Sequence, residues 1–185
     1  MILSAADIMN RLDQIAAAYA DIFAEPPFNR DPLTASAHYR HRLLNDAQRP
    51  GFRAAIAQTD GKIAAFATGW QTLAPFRTDR AYPQVSEQLG AQRVETSLVG
   101  AFEVDQLGVL AHSRGQGLGR AMLDELIADV PRQRAWLLTW STAKATIDFY
   151  RHVGWRQLRP LTDTTGAEVK NDVVVFVSPA VPEEN

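Results

Sequence analysis

The stretch VDQLGVLAHSRGQGLGRAMLDELIADV, residues 104–130, places Gly115, Gly117 and Gly119 within five positions, between a β-type run and an amphipathic one. This restricts the fold more than any other segment. Leu118, Met122, Leu123, Leu126 and Ile127 recur at helical spacing and form a stripe that packs on a sheet. The chain therefore passes from a strand through a glycine-rich turn into a helix start. There the first N–H groups of the helix lack intrahelical acceptors and the helix dipole adds positive potential. Glycine permits positive φ and leaves those amides uncovered, so the turn predicts an anion site whose natural guest is phosphate.

Several phosphate-binding turns share that physics, and spacing separates them. A dinucleotide fingerprint GxGxxG started at Gly115 and Gly117 would require glycine where Arg120 stands. A nucleoside-triphosphate loop ends in GK[ST], which is absent. The segment does fit RxxGxG, as Arg114, Gly117 and Gly119, with Arg114 five residues after the valine of an LxV strand end formed by Leu107 and Val109.

The remaining elements follow from periodicity and punctuation. Apolar residues at Ile8, Leu12, Ile15, Tyr19, Ile22 and Phe23 mark one face of a helix that starts from a cap at Ser4 and stops at Glu25-Pro26-Pro27. Asp31-Pro32 opens a second helix reaching about Asn45. Two β-type runs meet at Asp60-Gly61, a hairpin signal. Residues 71–98 lack a sustained strand pattern, with a short helix over Pro83–Gly90, and a connection of that length points to a functional segment. A strand from Leu98 to Leu110, a helix to Val130, the strand AWLLTW and a helix from Ser141 to His152 stopped by Gly154 follow. WRQLRPL and DVVVFVS complete the β-type runs, separated by a polar loop with Gly166, and the tail PAVPEEN is read as frayed.

Length and composition exclude several functional classes. The 185 residues suit a single domain spanning 1–185 with a substantial core. With no cysteine, disulfides, thiolate metal sites and a thiol nucleophile are excluded. A net charge of −2 and a pI near 6.1 give no basic field for nucleic acid. No apolar run is long enough to span a membrane, and the first 23 residues lack the basic start of a signal peptide. The expectation is a cytoplasmic protein with neither a nucleic-acid nor a membrane partner. His38 and His41 share a helix face but lack a third ligand, so no metal site is assigned and the pair reads as a solvated face.

In RxxGxG after the LxV strand, followed by a strand and then FYRHVGW, with Tyr150 four residues before Gly154-Trp155, the chain resembles the GCN5-related N-acetyltransferase (GNAT) superfamily. The element order from Ala5 to Val177 fits as well, with the usual first strand reduced to Met1 and Ile2 or missing. Upstream of Tyr150, where the family often has asparagine, this chain has Ala143. The resemblance implies an α/β (α+β) GNAT fold, with a mixed, mostly antiparallel sheet flanked by helices and two splayed central strands. It implies acetyl-CoA as cofactor, held by Leu107, Gly108 and Val109 along the strand and by Arg114, Gly115, Gln116, Gly117, Leu118, Gly119 and Arg120 at the turn.

Direct acetyl transfer to an amine needs a proton acceptor, because a primary amine with a pKa near 10.4 arrives protonated. Glu103, on the strand leading to the cofactor, is the first candidate base; Asp105 shares its face by alternation. The backbone N–H of Leu107 is positioned to meet the developing oxyanion. The resemblance places the Tyr150 hydroxyl where it protonates the departing thiolate. Glu25 and Phe28, near Asp31, and Trp70 and Phe76 in the long connection are candidates for the acceptor pocket. The acceptor is a small-molecule or peptide amine, and a homodimer is compatible with the sequence. A catalytically silent acyl-CoA-binding module is the alternative, which the combination of Tyr150 with candidate carboxylates disfavours.

Overall fold

The computed structural model describes residues 1–3, 5–162 and 172–181. The expected cap at Ser4, the loop with Gly166 and the last four residues lie outside them. Two compact units interleave along the chain: Met1–Trp70 with Val104–Ala128, and Gln71–Glu103 with Asp129–Asn185.

In the first unit the strand order is β1 (Ile2–Leu3), β2 (Arg53–Thr59), β3 (Lys62–Gln71) and β4 (Phe102–Val109), the last contributing Val104–Val109. The short β1 exists and pairs antiparallel with β2, Ile2 opposite Ala55. The β2–β3 hairpin turns at Asp60 and Gly61, both at positive φ, as the dipeptide predicts. Helix α1 (Ala5–Phe23) buries the anticipated stripe, from Ile8 and Ile15 at 0% exposure to Phe23 at 7%. Tyr19 stacks on Tyr39 of α2 (Pro32–Asp46) with ring centroids 3.9 Å apart, joining the two helices above Ile56 and Phe66. Asp31 occupies the cap position of α2 with extended backbone, although its side chain makes no capping bond. Helix α4 (Leu118–Ile127) covers the sheet with Met122, Leu123, Leu126 and Ile127. Each such side chain removed from water contributes about 1.5–3 kcal/mol.

In the second unit the order is β4 (its residues Phe102 and Glu103), β5 (Ala135–Trp140), β7 (Val173–Val177) and β6 (Arg156–Gln157). Here β4 and β5 run parallel through two positions, Phe102–Ala135 and Glu103–Trp136, whereas β5–β7 and β6–β7 are antiparallel. All five residues of β7 are buried, as its unbroken apolar run suggests for a strand covered on both faces. Helix α3 (Tyr82–Arg93) carries a break at Gly90, φ 76°, and continues into a π-helical turn, Val94–Leu98. That turn corrects the expected strand start at Leu98. The Val99 N–H closes onto the Val94 carbonyl, Gly100 adopts positive φ, and extended pairing begins only at Phe102. Helix α5 (Lys144–His152) starts three residues later than anticipated because the Ser141 N–H still extends the β5–β7 ladder, donating to the Asp172 carbonyl. Among the described residues no helix is long and apolar enough to cross a membrane.

Candidate active site

The glycine-rich turn has the geometry its composition predicts. Gly115 and Gly117 adopt φ of 74° and 78°, and Gly117 is the residue from which α4 starts. The first bond of the helix runs from the Ala121 N–H to the Gly117 carbonyl, so the amides of Leu118, Gly119 and Arg120 precede the ladder. A Cβ built on Gly115 or Gly117 would meet no atom within 4 Å, so both positions face open space. An uncovered row of amides at a helix start fits a pyrophosphate. The two arginines of the motif differ. Arg120 is exposed and pairs along the helix with Asp124 at 3.5 Å, a contact worth little in water. Arg114 links two segments, donating from Nε to the Val109 carbonyl at 3.2 Å and from Nη2 to Glu25 at 2.7 Å.

The neighbouring strand supplies a backbone edge. The Leu110 N–H donates to the Ala64 carbonyl of β3, and alternation then turns the N–H groups of Leu107 and Val109 away from β3. The pairing of β4 with β5 covers only Phe102 and Glu103, so the outward groups of Leu107 and Val109 lie beyond it and can accept an extended ligand. Gly108, between them, lets α1 approach. A Cβ there would lie 2.9 Å from Ile22 Cδ1 and 3.2 Å from the Phe66 ring. A side chain in place of the glycine of LGV would press on Ile22 and Phe66, which would have to shift to admit it.

The two candidate carboxylates have different partners. Glu103, 4% exposed, accepts from the Tyr82 hydroxyl, which lies 2.9 and 2.8 Å from its two oxygens. Arg77 sits over the Tyr82 ring at 5.1 Å; burial lowers its pKa, but its hydrogen bond to Asp79 and the electrostatic pull of Tyr82, Asp79 and, least, Glu103 together raise it above the ordinary value. Asp105 is ion-paired with Arg42 of α2. Arg42 also reaches Asp46 at 3.4 Å, and Asp46 in turn holds Arg49, whose guanidinium stacks on Trp70 at 4.5 Å. Burial depresses the Arg42 pKa, but Asp105 and its other anionic neighbours more than offset this, so the guanidinium stays charged.

Tyr150 lies at the last turn of α5, where Gly154 at φ 90° allows the Trp155 N–H to close onto the Tyr150 carbonyl at 2.9 Å. Its ring packs against Phe149, Trp155 and Phe176. Burial raises its hydroxyl well above the ordinary tyrosine value, and no residue among those described hydrogen-bonds it.

The anticipated acceptor residues scatter. Glu25 is held by Arg114, Phe28 packs on the Phe23 ring at 4.9 Å, and Trp70 is buried. Phe76 packs on Tyr82 and Trp136, at 5.3 and 5.8 Å. A cavity of about 260 Å³ does exist in the first unit, against α2, with Arg30, His38, Tyr39 and Arg42 in its wall. Of the residues singled out at the α1–α2 junction, Asp31 lines it, whereas Glu25 and Phe28 do not. Tyr82, Arg30 and Arg42 carry no sequence signal, since no local pattern marks a partner 21, 11 or 63 residues away.

A protein-family model for the acetyltransferase (GNAT) family matches residues 14–155. The chain belongs to this family, whose members use acetyl-CoA. Among solved structures it is similar to the PaiA N-acetyltransferase of Thermoplasma acidophilum in complex with coenzyme A, at TM-score 0.59 and 10% identity, covering 96% of this chain and 97% of that one. The ribosomal-protein-alanine N-acetyltransferase of Brucella melitensis aligns at TM-score 0.56 and 19% identity over 96% of both chains. An acetyltransferase of Thermus thermophilus gives TM-score 0.52 and 15% identity over 96% of this chain and 93% of that one. At these identities the likeness is one of fold. None of the curated proteins matches significantly.

Proposed function

We propose that this protein is a cytoplasmic N-acetyltransferase that passes the acetyl group of acetyl-CoA directly to a primary amine. Since each compact unit is built from two separated stretches, residues 1–185 are taken as one catalytic domain. The observation that carries the reading is the open turn at Gly115–Gly117, with three amides ahead of the first bond of α4, next in sequence to the part of β4 that lies beyond its pairing with β5.

When bound, acetyl-CoA supplies an acetyl group on a thiolate leaving group. The amides from Gly115 to Arg120, including that of Gln116, hold its pyrophosphate, and the outward backbone groups of Leu107 and Val109 line up its extended arm as an added strand. Arg114, tied to Val109 and Glu25, fixes the strand end against the turn. The Leu107 N–H stabilises the negative charge that develops on the carbonyl oxygen during attack. Glu103 accepts the amine proton, directly or through water, while the Tyr82 hydroxyl orients its carboxylate. Asp105 is assigned to holding Arg42, because its carboxylate is committed to that guanidinium. Tyr150 donates a proton to the thiolate, a role supported by a hydroxyl that no described residue engages and that burial keeps protonated through neutral pH. Phe76 packs behind Tyr82, and Glu25, Phe28 and Trp70 act indirectly, by shaping the segments around Arg114, Phe23 and Arg49.

Thermal-shift titration with CoA, ATP and NAD tests the cofactor assignment. Stabilisation by CoA alone is expected, and stabilisation by NAD or ATP to the same degree would contradict it.

A further inference from the structure

The cavity against α2 has a wall chemistry that the acetyl-transfer reading leaves unused. Arg30 folds over the rings of Tyr19 and Phe23, with its guanidinium carbon 5.7 Å from each centroid, and donates to the Tyr19 hydroxyl. It has no carboxylate partner among the described residues, unlike Arg42, which Asp105 and Asp46 already neutralise. Tyr39, 2% exposed, lines the same cavity, and its buried hydroxyl lies near the Thr68 side chain without closing a hydrogen bond of good geometry. A buried hydroxyl without a well-formed bond costs about 1–3 kcal/mol, a cost that a bound acceptor would relieve. The guanidinium of Arg30 offers one positive charge to a single carboxylate, and Asp31 on the same wall disfavours a second negative charge. At about 260 Å³ the cavity lies below the ~300–1,000 Å³ of sites for drug-sized ligands, and so suits a small molecule. Through Arg42 and Asp105 its wall connects to β4 two residues before Leu107, the strand assigned to the acyl arm.

We infer that this cavity seats a carboxylate carried by the acceptor, making the acceptor a small amine that is also a monocarboxylate, of amino-acid size. Arg30 binds the carboxylate as a planar fork, and the Tyr39 hydroxyl donates to it. The inference rests on the transferase reading for the word acceptor, but the binding site can be tested without turnover.

Calorimetry on the full chain compares three matched pairs: glycine, lysine and 5-aminopentanoate, each against its primary amide. At least one carboxylate should bind about 10- to 100-fold more tightly than its amide, the usual range for a charge-assisted bond. Arg30→Gln should reduce that preference to within about twofold and leave amide affinity unchanged. Tyr39→Phe, which keeps the stacked ring, should weaken the carboxylate several-fold, and it decides the matter if Arg30→Gln does not fold. Equal affinities within every pair, no binding of any carboxylate, or a preference that survives Arg30→Gln would overturn the inference. So would inorganic phosphate binding as tightly as the carboxylates. Acetyl-CoA turnover separates the two readings: amide and carboxylate acetylated alike would retain the transferase and remove this site, whereas carboxylate-selective binding with no acetylation of any member would retain the site and remove the transferase.

Discussion

The Tyr82 hydroxyl and the Glu103 carboxylate form a buried pair, with both carboxylate oxygens within 2.9 Å of the one donor. Twenty-one residues separate them in sequence, yet Tyr82 opens α3 at the point where Glu103 enters β4 pairing with Trp136. Aromatic neighbours Phe76 and Trp136 fix the Tyr82 ring, so the hydroxyl cannot swing away without disturbing the packing.

Tyr82→Phe deletes that donor and keeps the ring. If Glu103 is the base, kcat should fall about 10- to 100-fold as the carboxylate loses its orientation, while CoA affinity stays within twofold. Stability should drop by about 1–3 kcal/mol, since a buried acceptor loses its bond. Steady-state kinetics with a parallel denaturant titration check both numbers. An unchanged kcat with lowered stability would reduce the pair to a core hydrogen bond.

Gly117→Val places a branched side chain at φ 78°, in the open space before the α4 amides. Its Cβ meets no atom within 4 Å, so the expected cost to folding is mainly the backbone strain, about 1–3 kcal/mol. The expected cost to CoA binding is larger, at least tenfold in Kd by calorimetry on folded protein, because the pyrophosphate loses its approach. Unchanged affinity would move the phosphate site elsewhere.

How far these elements can be read from sequence depends on how local their causes are. The α1 stripe, the Asp60-Gly61 hairpin, the Gly115–Gly119 turn and the Gly154 cap all arise within a few residues, and each lies where spacing predicts it. β4 starts later than its apolar run suggests because Val94–Leu98 winds into a π-helical turn, and nothing in its composition distinguishes that from extended chain. Glu103 and Asp105 look equivalent by alternation. Only tertiary partners, Tyr82 for one and Arg42 for the other, separate a buried hydrogen-bonded carboxylate from a salt-bridged one. The cavity beside α2 depends on Arg30 folding back on Tyr19, a side-chain choice that leaves no periodic trace.

Tyr150→Phe should lower kcat by up to about 10²- to 10⁴-fold, with CoA affinity little changed. The reduction should be at the lower end, because a thiolate leaves more readily than an alkoxide. Burial holds the Tyr150 hydroxyl above its ordinary value near 10, so it stays a proton donor through neutral and mildly alkaline pH. The sign for stability follows from linkage. With the folded pKa above the unfolded one, the contribution is complete below pH 10 and lost as pH rises beyond it, through the folded value. Denaturant titrations at pH 8 and pH 11 should show a smaller alkaline loss in Tyr150→Phe than in the parent.

The most direct measurement follows CoA thiol release and acylated product together, using acetyl-CoA and a panel of primary amines that includes amino acids. One free thiol per N-acetylated amine, abolished by omitting the amine and slowed by Tyr150→Phe, is the predicted result. CoA binding that stabilises the protein while no amine in the panel is acetylated would contradict the account and leave a silent acyl-CoA-binding module.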